Sequence, residues 1–359
     1  MNTIKSFVLV LSVMVGWMFA SVVSAQEGIP FEVSVPEVPT DADTTPKLTL
    51  DTPALDLVFS GEGSLVLAPA AIHNRVDMWD LNTGTRYDML FDHDVADLDG
   101  ITEIIYYAES TDGSTMLSGD MSGRVVLWDS TLTEMGRLDP GFSDEFDSVF
   151  SVSPLFDQIS IGGCLVQATA TECSQWAVVV YSLADNTILH QINVGSSALT
   201  HLAYTPDGSY LGVADAAGIF SMYTSNSGEL GAQLETVLES ISTIRFSPVD
   251  NVLAVGGCEY ADTASGECLL GSVDVFNYTD GNALDYLQAH YGNITSMDFD
   301  AFGVDLATAG ADGAVRVWTL GEGVPHQTIL TQAQVVRFVP GFPEIMSGGE
   351  NGIQLWDLR

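Results

Sequence analysis

Seven times along this 359-residue chain a short apolar run ends on an aromatic residue. The anchors are Trp79 (RVDMWD), Trp128 (RVVLWD), Tyr181 (VVVYSL), Tyr223 (IFSMYT), Phe276 (SVDVFN), Trp318 (VRVWTL) and Trp356 (IQLWDL). They are spaced 49, 53, 42, 53, 42 and 38 residues apart. The mean step is about 46, close to the period of four-stranded propeller blades. A second set of runs precedes the anchors in step with them: LVFSGEGS from Leu57, IIYYAESTDGS from Ile104, LAYTPDGS from Leu202, IRFSPVDN from Ile244 and VRFVPGFP from Val336. One such unit alone would say little, because a few short strands with one apolar face are not stable in water. Seven in register predict a chain that folds by stacking copies of one small sheet.

Residues 293–318 show the unit most fully. Ile294, Met297 and Phe299 suit a first strand, a turn falls at Asp300–Gly303, and Leu306-Ala307-Thr308 form a second strand. Ala311-Asp312-Gly313 reverses the chain into Val315–Trp318. Asp-Gly between alternating apolar runs is a hairpin signal, because both residues tolerate positive φ. No helical periodicity is sustained after the first 25 residues. The best helical candidate, 228–240, begins beside glycine and is expected to be an outer strand and a loop.

These motifs resemble the WD-repeat β-propeller family over roughly residues 47–359: Ser/Thr-Pro-Asp-Gly turns, Leu-Ala-Ser/Thr-Gly second strands and Val-x-Val-Trp third strands. The resemblance implies an all-β, seven-bladed propeller of four-stranded antiparallel blades that acts as a binding platform. It also implies a structural hydrogen-bond chain in each complete repeat, and one unit matches fully: His290, Thr308, Asp312 and Trp318. Blade two keeps Ser118 and Trp128 but has Ser122 at the Asp position, and blades three to five replace the Trp by Tyr or Phe. The chain stops three residues after Trp356, so the last unit lacks its own outer strand. Lys47-Leu48-Thr49-Leu50 alternates and is expected to supply it, closing the ring without an open sheet edge. The alternative is that this run only lengthens the linker.

The first 25 residues read as an export signal: Lys5, an apolar stretch over 7–23, and Val23-Ser24-Ala25 as a small-residue cleavage site. An uncleaved membrane anchor is the rival reading, at the lower length limit for a span. Residues 26–46 carry four prolines among acids, the composition of an extended, solvated linker. The four cysteines fall in two similar places, Gly162-Gly163-Cys164 with Cys173 and Gly256-Gly257-Cys258 with Cys268. An even count in an exported chain predicts disulfides, paired Cys164–Cys173 and Cys258–Cys268. A four-thiolate zinc site would want tighter C-x₂₋₄-C spacing.

The net charge of −38, with only 10 Lys and Arg, excludes nucleic acid as a partner and argues against docking on anionic lipid. Acids cluster at Asp92, Asp94, Asp97 and Asp99 before blade two, and at Asp139, Asp144, Glu145 and Asp147 before blade three. A propeller of this kind would present both loops on the same face as the cysteine hairpins, with Glu172, Glu259, Asp262 and Glu267. The expected partner is a protein or peptide, with a basic segment favoured by charge complementarity. Calcium is the other use of such loops, but Asp94–Gly100 fails the EF-hand template. No catalytic motif is present: no G-x-S-x-G, H-E-x-x-H, phosphate loop or C-x-x-C, and the six histidines are scattered. The expectation is a monomeric, exported, non-enzymatic scaffold without cofactor or metal. The alternatives are a hydrolase or lactonase-like propeller with a His/carboxylate cluster at the channel, and a calcium-stabilised module.

Overall fold

A computed structural model describes residues 35–358, apart from 40–41, 55, 61–62, 70–74 and 91–103. Among the described residues there are 28 strands and no helix. They form seven antiparallel sheets of four strands each. Six blades are continuous in sequence: 58–90, 104–138, 149–195, 199–235, 240–290 and 294–330. The seventh takes three strands from 335–357, and Leu48–Leu50 pairs with Gly352–Asp357 as its outer strand. The register sets Leu48 opposite Leu355 and Leu50 opposite Ile353. The chain is therefore a seven-bladed propeller whose N-terminal strand completes the last blade.

The blades are held face to face by the apolar residues that alternate along their inner strands. Leu117, Val125 and Leu127 of blade two pack on Ile159, Ile161 and Val179 of blade three. The closing seam is built the same way. Leu50, Val335, Met346 and Ile353 meet Val66 and Ala68 of blade one, and Leu57 just before it. A buried aliphatic side chain contributes about 1.5–3 kcal/mol, so each interface rests on many such terms. Outer strands are more exposed: Ala283–His290 runs from exposed Ala283 and Leu284 to buried Leu287, Ala289 and His290.

The 228–240 stretch forms the strand Leu230–Glu235 and a loop. The Ala311–Gly313 reversal differs in detail from a two-residue turn. Only Gly313 has positive φ (76°), and its N–H returns to Gly310 O at 3.1 Å. This is a type I turn followed by a left-handed glycine, which leaves Asp312 free to use its carboxylate elsewhere.

Part of the Pro-rich segment lies on the propeller. Val35 is buried, and Arg316 Nη2 donates to Pro36 O at 3.3 Å. Asp43 bridges Ile329 in parallel, accepting from Leu330 N at 2.8 Å and donating its own N–H to Thr328 O at 2.9 Å. The outer edge of blade six thus has a partner at that point.

Candidate functional site

Antiparallel strands send each hairpin between second and third strands, and each connection between blades, out of the same face. Among the described residues, the two cysteine hairpins are the longest on that face. They are the extended ends of Gln158–Thr169 with Glu172–Ser182, and of Val252–Ala261 with Cys268–Asn277. Disulfides join Cys164 to Cys173 and Cys258 to Cys268, with Cα–Cα distances of 5.8 and 5.7 Å. Each hairpin is also tied at its base to the connection entering its own blade. Ser143 N donates to Cys164 O (2.9 Å), and Glu239 N donates to Cys258 O (2.8 Å).

The connection before blade three therefore sits directly against the first stapled hairpin. Phe142 covers Gly163 so closely that a Cβ there would lie 2.3 Å from its ring, and Phe146 packs edge-on against Trp176 at 5.7 Å. These two aromatics anchor the loop and leave Asp139, Asp144, Glu145 and Asp147 exposed. The sequence reading missed Arg124. From the neighbouring hairpin of blade two it reaches Asp144 Oδ1 at 3.2 Å and Asp139 Oδ2 at 3.8 Å. Two of the four carboxylates are thus partly neutralised, which concentrates uncompensated charge at Glu145 and Asp147. Asp92, Asp94, Asp97 and Asp99 lie outside the described residues. Glu259 of the second hairpin lies across its own blade and accepts from Ser272 Oγ and Tyr286 Oη.

The four residues His290, Thr308, Asp312 and Trp318 meet between blades five and six. The indole of Trp318 can only donate, so Thr308 Oγ1 accepts at 2.9 Å. The Thr308 proton then goes to His290 Nε2 at 2.8 Å, which leaves Nδ1–H to donate to Asp312 Oδ1 at 2.8 Å. Arg316 donates to the other oxygen of Asp312 at 2.8 Å. Burial pushes the Asp312 carboxyl up, but the hydrogen bond from His290 and the charge and hydrogen bond of Arg316 outweigh it and hold the pKa at about 2. Gly310 is required beside this chain, since a Cβ there would stand 2.2 Å from His290 Cγ. Blades two and seven keep the Trp step: Trp128 donates to Ser118 (2.8 Å) and Trp356 to Ser347 (2.9 Å).

A family model for the WD domain, G-beta repeat, matches residues 281–319, the span that holds this hydrogen-bond chain. One of the seven repeats thus matches that family, within a ring of seven four-stranded blades. Among solved structures, a chain of the "Crystal Structure of Mitotic Checkpoint Complex" has the same fold, with a TM-score of 0.70 at 16% identity. The match covers 92% of this chain and 98% of that one.

The channel of this propeller holds a cavity of about 600 Å³. Its polar lining includes Asp56, His201, Arg245, Ser296 and Arg337, which scattered positions in the sequence did not suggest. Arg337 pairs with Asp56 (2.5 Å) and donates to Ser296 Oγ (2.9 Å). Arg245 Nη1 donates to His201 Nε2 (2.6 Å) and to Ile244 O (3.0 Å). Burial, with Arg245 and Arg337 nearby, keeps His201 well below its ordinary pKa and neutral. No group of three or more His, Cys, Asp or Glu among the described residues is placed to hold a metal ion.

Proposed function

We propose that this WD-repeat propeller is an exported, non-enzymatic protein-interaction scaffold that receives a basic segment on its disulfide-bearing face. The single observation that carries the reading is the joining of the acidic connection to the first stapled hairpin. Ser143 is bonded to Cys164, and Phe142 and Phe146 pin the loop from below. A loop so anchored presents Glu145 and Asp147 with little ordering left to lose on binding, which favours affinity. Opposite charge on a partner would raise the association rate and fix its orientation. The similar propeller belongs, by its title, to a multi-protein complex, which fits the use of this fold as a platform. Two disulfides suit an oxidising compartment and so an exported chain. Mature protein beginning at Gln26 on intact-mass measurement would establish the export route.

The test uses a Lys-rich peptide as probe, at low and physiological salt. Asp139→Asn, Asp144→Asn, Glu145→Gln and Asp147→Asn together should leave the melting temperature unchanged and weaken binding about tenfold, with less salt dependence. Unchanged binding would refute the site. The channel carries the second reading, a hydrolase, because His201 and Asp56 both line it. Against it, the Nε2 of His201 is taken by Arg245 and not by a nucleophile. Calcium stabilisation of the same loops would show as a melting shift on adding chelator.

A further inference from the structure

The channel holds positive charge in a protein that has very little of it. Only 10 Lys and Arg offset 48 Asp and Glu, yet two arginines line one cavity. They are not equivalent. Arg337 has a carboxylate partner in Asp56. Arg245 has none among the described residues: its two bonds, to a neutral imidazole and a backbone carbonyl, both use Nη1. Its Nε and Nη2 hydrogens are left without an acceptor, and they form the planar edge that grips a carboxylate with two parallel bonds. Burial and the neighbouring Arg337 charge lower the Arg245 pKa to about 10, so it stays protonated while its charge is under-compensated. Asp298 is the other acid nearby, and it spends an oxygen on Phe338 N at 2.9 Å.

Apolar and aromatic residues share the lining with Asp56, Ser151, Thr243, Thr295, Ser296 and Gln334. Tyr106 and Phe150 stack at 5.1 Å, and Val152, Leu202 and Phe246 complete the wall. Pro154, Pro206 and Pro248, from equivalent turns of three successive blades, border it at the end away from the disulfide hairpins. A concave site that combines apolar wall with a few placed polar and charged groups is the usual form of a small-molecule pocket. We propose that the propeller channel binds a small organic carboxylate, its carboxyl group on the free edge of Arg245 and its apolar body against Tyr106, Phe150 and Phe246. The site is separate from the acidic face and does not depend on it.

Calorimetric titration of the full chain with 4-phenylbutyrate and octanoate tests this, with the matching amides and inorganic phosphate as controls. At least one acid should bind, with its amide about tenfold weaker or worse. Arg245→Gln should abolish the preference for acid over amide, and Arg245→Lys should reduce it, because a point charge replaces the fork. If the Gln variant does not fold, the acid–amide comparison on the unaltered protein still decides. No binding of either acid up to about 10 mM, a concentration that would register even millimolar affinity, would overturn the proposal. Equal binding of acid and amide, or phosphate binding alone, would do the same. A short peptide ending in a Phe carboxylate forms the last arm. Tighter binding than phenylbutyrate would overturn the assignment to a free small molecule, and weaker binding would support it.

Discussion

Trp79 and Ala68 stand in blade one where Trp318 and Thr308 stand in blade six, and the missing hydroxyl leaves the Trp79 indole N–H buried without an acceptor. Val66 faces Trp79 as Leu306 faces Trp318, so the acceptor position two residues on falls on Ala68. The cost of such an orphan is about 1–3 kcal/mol. Ala68→Ser should therefore stabilise the protein by about 1 kcal/mol in denaturant titration. A loss of stability would show that the site has no room for the oxygen.

Thr308 is the converse case. Thr308→Val keeps the shape but strips partners from Trp318 Nε1 and His290 Nε2, both buried. The expected loss is about 2–4 kcal/mol, since two buried polar groups lose their partner at once. Chemical unfolding followed by tryptophan fluorescence measures it.

Asp274 gives a pH signature of defined sign. Burial, with Glu259 adding to it, raises its pKa to about 6, although Val237 N donates to it at 2.9 Å. The folded state holds the proton more tightly than the unfolded chain. The stability this provides is complete below the unfolded carboxylate range near pH 4 and is lost as pH rises through about 6. Asp274→Asn should stabilise the fold by about 2–3 kcal/mol above pH 7. That gain should vanish near pH 4. A gain independent of pH would contradict the buried charge.

The stapled hairpins should be separable from the blades. Replacing Cys164 and Cys173 by Ser removes a loop constraint worth about 2–3 kcal/mol in the chain-entropy model. The blade should persist through its other strand pairings, as read by circular dichroism. Thiol alkylation of the intact protein without reductant should label no cysteine.

Ring closure is tested at Leu50, which is buried against the last blade and the first. Leu50→Asp should cost more than about 3 kcal/mol, because an unpaired charge replaces a packed aliphatic side chain. Leu48→Thr, at a half-buried position on the same strand, should cost far less.

Residue patterns that repeat every 38 to 53 positions carried most of the architecture. Hairpins between neighbouring strands depend on turn residues and on alternation along a few residues, so blade number, strand order and the closing role of Lys47–Leu50 were legible. So were both cysteine pairs, because each lies within a single hairpin. The Asp-Gly turn was right in place and different in type, since one positive φ suffices when a third residue joins the turn.

Tertiary structure alone decided what meets across blades. Arg124 reaches the acidic connection only because two blades lie side by side. His201 and Arg245 are 44 residues apart, and Arg337 lies two blades further on. Each is one inward-facing side chain in an otherwise ordinary first strand, and closing the ring places them around one cavity. Local periodicity specifies each strand and turn separately. The channel and the docking of Val35 and Asp43 depend on the order of the blades around the axis, which no single repeat encodes.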